Sequence, residues 1–440
     1  MISKGYLSGR RSQRGQTILL VAVSMVSLLA MAALAIDVVT LYVARTEIQR
    51  AADAAALVGA KAIADSGVTT LPSGSGDLAA ATTLATSMAN SAITAVINAS
   101  PPINQVAGNP PSLVSTTFNF TPNNNPRVTV TLQQTNLPTF FARIFGQRSA
   151  TTGASATAEA YNPSNLANFT PITPRCVKPW LVANIDPTNP GNSFVDPTTG
   201  AVVANLATLA ATPFYLSADC VKGNPGCSVN NQPMTVLIGE TGVQYLPAFV
   251  ADPTIANACP SCVGATSFEQ GVACCDVNTN YSCGGTTPNA SWDSALNPEH
   301  GGFSSPSALA NECLIHALNT GPGQGQDALD YPTPWPDGPP RITAGTRNPM
   351  NNQVVTTSSS IVTMPIIDPN GFNHFGSSPV TVFGFLQAFV NSVSGASGHV
   401  GEINITVLNI IGCSATPNAN PPVVGGNGAS AIPVRLITPP

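Results

Sequence analysis

Residues Thr17 to Ile36, TILLVAVSMVSLLAMAALAI, are twenty consecutive positions without an ionisable group, and Lys4, Arg10, Arg11 and Arg14 stand in front of them. As a helix rising about 1.5 Å per residue, such a stretch is about 30 Å long, the thickness of the hydrocarbon core of a bilayer. Its Leu, Ile and Val side chains each favour insertion by roughly 0.3 to 0.6 kcal/mol, against a small penalty from Thr17, Ser24 and Ser27. The segment is therefore expected to cross a membrane. Cations on the short side hold that side in the cytoplasm, so 1–16 is expected to be a cytoplasmic stub, 17–36 the span, and the residues after Asp37 extracytoplasmic. A cleaved export signal is the rival reading, because Ala33-Leu34-Ala35 has the small-x-small form of a cleavage site. Against it, the apolar run exceeds the ~7 to 15 residues of a usual signal core, and the helical pattern continues past the cut. A buried core helix would have no use for the cations ahead of it.

The rest of the chain is poor in charge. Of its 440 residues 8% are charged, with 16 Lys plus Arg against 21 Asp plus Glu and a formal charge of -5, where a soluble domain carries about 25%. No basic surface is left to neutralise phosphates, so nucleic acid is not an expected partner. The length allows two or three domains, and the apolar content is enough to build their cores.

From Val38 to about Ala64, VVTLYVARTEIQRAADAAALVGAKAIA contains no Pro and many strong helix formers, so the membrane helix is expected to continue outward as one rod. Ala52, Ala56 and Ala60, with Ala64, recur at i, i+4 and stack into a ridge small enough for another backbone to approach closely. These are the helix-packing candidates. Their cover is either the chain's own domain or the helix of another subunit. Asp53, Lys61 and Asp65 read as a solvated face.

Arg14-Gly15-Gln16 before the span, Asp37 at its end, Leu41-Tyr42-Val43-Ala44-Arg45 and Ile48-Gln49-Arg50-Ala51-Ala52-Asp53-Ala54-Ala55-Ala56-Leu57 resemble the amino-terminal signature of TadG-like proteins, of the TadE/TadG-like family in the Tad (tight adherence) or Flp pilus-assembly system of bacteria. The resemblance spans residues 14 to 64. It implies a single-pass inner-membrane protein with its bulk periplasmic or extracellular, no enzymatic activity and no cofactor. As partners it implies lipid and other Tad/Flp assembly proteins or pseudopilins, with self-association possible in such systems. Two departures matter. Gly15 is followed at the fifth position by Leu20, not by the Glu of prepilin-peptidase substrates. The Asp-x-Ser-x-Ser metal motif of some TadG proteins is absent from the sequence, so no metal site is carried over.

Beyond the rod, Gly67 to Asp77 reads as a linker and Leu78 to Asn98 as a second helix. Ser112 to Thr121 and Arg127 to Gln134 read as a hairpin. Pro138 to Gly146, PTFFARIFG, suits a short helix stopped by Gly, with Phe140, Phe141 and Phe145 as core. Ser149 to Tyr161 reads as a returning strand. This helix-plus-antiparallel-sheet order is similar to the plan of pilin-like subunits and defines a first domain over 37–161.

Residues 162–440 hold every cysteine of the chain: Cys176, Cys220, Cys227, Cys259, Cys262, Cys274, Cys275, Cys283, Cys313 and Cys413. An even number beyond a membrane favours disulfides, each worth about 2 to 4 kcal/mol to a loop-rich domain. Cys176 and Cys413 bracket the region and are expected to pair. The crowding of Cys259, Cys262, Cys274, Cys275 and Cys283 also admits a zinc site, and Cys259-Pro-Ser-Cys262 a thioredoxin-like redox centre. Glu312 and His316 read as a satisfied surface pair on one helix face, and Asp276-x-Asn278-x-Asn280 as an Asn-rich turn. Ser360 to Ile367, Val380 to Val390 and Ile403 to Ile411 read as a compact antiparallel sheet, and Asn418 to Pro440 as a loosely attached tail.

The expectation is an α+β chain: a single transmembrane helix continuing into a long helix, a pilin-like domain, and a disulfide-rich, mainly β domain. Its expected role is structural or accessory in a Tad/Flp-type pilus system. A surface adhesin is the alternative, and an envelope thiol oxidoreductase a further one.

Overall fold

The computed structural model describes residues 12–71, 75–99, 106, 108–121, 125–165, 172–218, 234–237, 240–256, 259–262, 264, 266–279, 281–283, 290–292, 306–316, 325–332, 336–370, 378–393, 402–413, 423–424 and 430–437. Helix α1 runs unbroken from Ser12 to Asp65, 54 residues and about 80 Å. Its two halves live in different surroundings. Ile18, Leu20, Val23, Leu28, Met31 and Leu34 are exposed, whereas Ala44, Ile48, Ala52, Ala56 and Ile63 are buried. In the exposed half Ser24 donates to the Val21 carbonyl at 2.9 Å and Ser27 to the Val23 carbonyl at 2.8 Å. A hydroxyl satisfied inside its own helix leaves no stranded donor in lipid. The helix stops at Gly67, whose φ of 78° lies in the left-handed region that closes helix ends without a Cβ penalty.

Helix α2, Leu78–Ile97, is also long and apolar enough to cross a membrane. Its Ala81, Leu84, Ala85, Ala89, Ile93 and Ile97 are buried, and it packs along α1. The outer half of α1 also lies on an antiparallel sheet of β1 (Ser112–Asn119), β2 (Arg127–Pro138) and β3 (Ser149–Ala160). Val128, Val130 and Leu132 of β2 alternate inward, the period-2 pattern of a sheet with one covered face.

The rest of the chain is built around a closed six-stranded barrel. Its strands are β4 (Trp180–Ala183), β5 (Phe214–Ala218), β6 (Gly242–Pro247), β7 (Ile361–Ile367), β8 (Val382–Val393) and β9 (Ile403–Gly412). They pair in the order β7-β8-β9-β5-β6-β4 and back to β7. The expected three-stranded antiparallel arrangement is present as β7-β8-β9, but it is half of a barrel: two parallel pairs, β5 with β6 and β4 with β7, complete the closure. Runs such as FGFLQAFV are apolar at almost every position because they are covered on both faces. Helix α3 (Leu206–Ala211) lies outside β9, while a further helix, Pro306–Leu314, lies outside β8.

Part of the expected loose tail is not loose. Strand β10 (Val434–Ile437) pairs antiparallel with β3, Val434 opposite Ala160 and Ile437 opposite Thr157. Its Arg435 places Nε and Nη2 each 2.6 Å from Oε1 of the buried Glu159, and its guanidinium lies 4.5 Å from the Tyr161 ring centroid. Arg127 approaches the other carboxylate oxygen at 3.4 Å. A planar guanidinium satisfies a carboxylate and stacks on a ring at the same time, which a Lys in its place would not.

The barrel and the β1–β2–β3 sheet are fused. One apolar cluster runs from Ala44 on α1 through Leu386 on β8 to Ile432 before β10. At the seam the Ile410 N–H donates to the Thr70 hydroxyl at 3.2 Å, and the Asn162 amide donates to the carbonyls of Thr69 at 2.9 Å and Ile410 at 3.3 Å.

Four disulfides join described cysteines: Cys176–Cys275, Cys259–Cys274, Cys262–Cys313 and Cys283–Cys413. Their Cα separations of 4.4 to 5.7 Å lie in the ordinary range. The expected Cys176–Cys413 pair is not formed. Cys176 lies beside Asp276, to whose carbonyl its N–H donates at 3.2 Å, and so reaches the neighbouring Cys275. Cys413, just past β9, is left for Cys283. Cys220 and Cys227 lie outside the described residues.

Candidate functional site

The change of environment along α1 begins at Asp37, the first of its described side chains to be buried. This residue is 4% exposed, and its carboxylate accepts from three consecutive backbone N–H groups, of Phe140 at 2.8 Å, Phe141 at 2.9 Å and Ala142 at 2.6 Å. Those donors begin the 3-10 turn Ala142–Phe145, which ends at Gly146 with a φ of 90°. Early N–H groups of a helical turn have no internal partner, and an anion is their best acceptor. One side chain on the long helix thus fixes the height at which the loop between β2 and β3 stands along the rod.

The expected short helix over 138–146 is this turn alone, since Pro138 completes β2 and Asp37 holds the next donors. The expectation of Phe140 as core is also corrected. It is 60% exposed, and Ile144 is 78% exposed, because the turn presents its donors to Asp37 and its side chains outward. Phe141 is half-buried, Arg143 and Arg148 are exposed, and the Phe145 side chain lies outside the described ones. The signal for this clamp is a lone Asp at the end of an uncharged run, but its partner 103 residues away leaves no local trace.

Ala52, Ala56 and Ala60 are fully buried within the chain, on the stretch of α1 that faces α2 and the sheet. How close that approach is appears at Gly59, where an added Cβ would stand 2.8 Å from Ile93 Cδ1 and 3.3 Å from Val128 Cγ1. Small residues let the helix sit between α2 and β2 at backbone distance. Asp53, Lys61 and Asp65, expected as a solvated face, are half-buried: Lys61 and Asp65 form an ion pair at 2.6 Å, and Gln49, which also reaches the Ser155 carbonyl of β3 at 3.2 Å, donates to Asp53 at 2.8 Å.

The cysteine-rich segment clasps the barrel from outside. Helix α4 (Ser267–Ala273) starts with a reciprocal capping box between Thr266 and Glu269 and leads into Cys274 and Cys275. Helix α5, the Pro306–Leu314 helix beside β8, carries Cys313. Cys259 and Cys262 are not bonded to each other; each reaches a different partner, which is not the arrangement of a redox dithiol. Asp276 accepts from the N–H groups of Thr254, Asn278 and Thr279 at 2.9 to 3.2 Å, the turn geometry expected of it. The Glu312–His316 surface pair is not observed. Helix α5 ends at Leu314, His316 lies beyond it with a φ of 60°, and Glu312 is buried, which pushes its carboxyl up. Among the described residues no group of three His, Cys, Asp or Glu is placed to hold a metal ion. A shallow cavity of about 250 Å³ lies between Thr94, Ile97 and Asn98 of the α2 end and Pro110 to Leu113, lined by no ionisable side chain.

The most unusual titrating group is Lys178. It is buried, and its Nζ donates to the Cys274 carbonyl at 2.8 Å. Burial pulls its ammonium down to about 7, whereas in an unfolded chain it titrates near 10.4. Between those values the unfolded chain binds more protons, so stability rises with pH by up to about 1.4 kcal/mol per unit and falls as pH drops toward 7. Below the folded value this slope vanishes. Denaturant unfolding of the wild type and Lys178→Met at pH 7 and pH 9 checks this, and the variant should lose the pH dependence.

Residues 15–62 match a family model described as "Putative Flp pilus-assembly TadE/G-like". No curated protein and no solved structure matches the chain. The matched span covers the exposed apolar half of α1, the Asp37 clamp and the alanine ridge. Over residues 15–62 the chain is thus similar to a Flp pilus-assembly TadE/G-like family.

Proposed function

We propose that the chain is a structural or accessory envelope component of a Tad/Flp-type pilus-assembly system. It is held in the bacterial inner membrane by a single span, residues 17–36, with its amino terminus cytoplasmic. Residues 37–161 and 162–440 form the extracytoplasmic body. The observation that carries this is one rigid helix with two kinds of surface, apolar and exposed along its first half and enclosed by the folded body along its second, coinciding with the family match. Such a rod ties the body to a fixed height above the bilayer and leaves no hinge between anchor and domain. The partners are lipid and other Tad/Flp components, with a second copy of the chain as a further one. With Ala52, Ala56 and Ala60 covered internally, those partners meet other surfaces. The role is non-catalytic: the family match is to an assembly component, and the described cysteines that crowd together serve as cross-links.

The test is a strain lacking the gene, complemented either with the full chain or with a form in which residues 1–36 are replaced by a cleavable export signal. The full chain should fractionate with the inner membrane and restore surface pili. The released form should be soluble in the periplasm and fail to restore them. Normal pili in the deletion strain, with only surface attachment lost, would replace this reading with the adhesin one.

A further inference from the structure

The apolar surface of α1 does not end with the uncharged run. Val38, Val39, Tyr42 and Val43 are exposed beyond Ile36, and they lie within two turns of Asp37. At that height the Asp37 carboxylate holds the Phe140–Ala142 backbone, so exposed Phe140 and Ile144 stand beside the helix where the span meets the body. Arg143 on the turn, Arg148 just after it, and Arg45, about 12 Å further along α1, are all exposed at this end of the body. A soluble surface gains nothing by presenting an aromatic and a β-branched side chain at one short turn. An interface between hydrocarbon and headgroups accommodates an apolar wedge rimmed by cations.

We propose that the turn from Phe140 to Gly146 is a membrane-contacting collar. Phe140 and Ile144 enter the headgroup–acyl boundary of the distal leaflet of the bilayer that α1 crosses, and Arg143 meets anionic headgroups there. The occupant is lipid rather than a protein because the patch is continuous with the lipid-facing surface of α1 and its charge is complementary to phosphatidylglycerol-type headgroups. The proposal rests on the membrane-spanning reading of α1. Its consequence is a second contact with the bilayer at the side of the rod, which resists tilting of the body.

The experiment uses the full chain in sealed vesicles with tryptophan added one position at a time, read as the increment over the parent's own emission. Phe140→Trp probes the collar, Leu28→Trp the span, and Val354→Trp, exposed on a short strand of a small sheet outside the barrel, serves as the aqueous control. The collar probe should lose at least about half its emission to lipids brominated near the carbonyl end, as expected of an interfacial depth. The span probe should be quenched most by bromines near the chain end, and the aqueous control by neither. Quenching of the collar probe should deepen when phosphatidylglycerol replaces part of the phosphatidylcholine, and Arg143→Gln should remove that difference. A quenched span probe beside a collar probe as unquenched as the aqueous control would overturn the collar and leave the span standing. Quenching of neither the collar nor the span probe would overturn both. A collar probe unquenched by lipid yet shielded from aqueous acrylamide would assign the patch to a protein and overturn the lipid assignment. Equal quenching with and without anionic lipid would overturn the role of Arg143.

Discussion

Replacing Cys283 and Cys413 together with alanine is expected to remove about 5 kcal/mol of stability on the chain-entropy account of cross-links. The two are 130 positions apart, and the bond ties the loop after Tyr281 to the exit of β9. Without it the unfolded chain regains the freedom of that whole loop, which holds α5, β7, β8 and β9. The Cys259–Cys274 bond closes only 15 positions, so its removal should cost about 3 kcal/mol. The larger figure is comparable to the whole net stability of many domains, so the long-loop variant should accumulate poorly. Urea unfolding of the exported protein, wild type against each double alanine variant, measures both. An equal or larger loss from the short-loop pair would mean that loop entropy is not what these bonds supply.

The second large effect is expected at Asp37. Hydrogen bonds to a charged acceptor are stronger than those between neutral groups, and three on one carboxylate are not additive. Asp37→Ala, which strands three donors, should loosen the Phe140–Gly146 turn. In backbone amide exchange the expected change is about a hundredfold faster opening at Phe140, Phe141 and Ala142. Asp37→Asn keeps the acceptor oxygen without the charge and should fall between. Mass-spectrometric exchange on the full chain in detergent reads this directly, and unchanged protection in Asp37→Ala would show that the turn is held by packing alone.

How far these features are legible in the sequence depends on how local their causes are. Helix α1 is, because the uncharged run, the absence of proline and Gly67 all act within a few residues of where they are read. So are β2, β3 and β7 to β9, whose apolar patterning extends over seven to twelve residues. The barrel is not, since β4, β5 and β6 are only four to six residues long and the parallel contact that closes it, Val182 on β4 with Ile366 on β7, joins strands far apart in sequence. Cysteine pairing is equally non-local: Cys176 brackets the region in sequence, but what it reaches is set by where Asp276 folds. Phe140 misleads because apolarity alone cannot tell a core residue from an exposed one. The Asp37 clamp and the Glu159–Arg435 pair join residues more than a hundred positions apart, and neither end carries a motif.

The pairing of β10 with β3 has a temporal consequence. Arg435 follows Glu159 by 276 residues, so while the polypeptide is being made, the sheet on α1 waits one strand short with Glu159 lacking its fork. Every strand of the barrel is synthesised before that vacancy can be filled. A nascent product halted anywhere in between keeps an open edge on β3, the kind of exposed backbone that invites wrong pairing and that proteases and chaperones recognise.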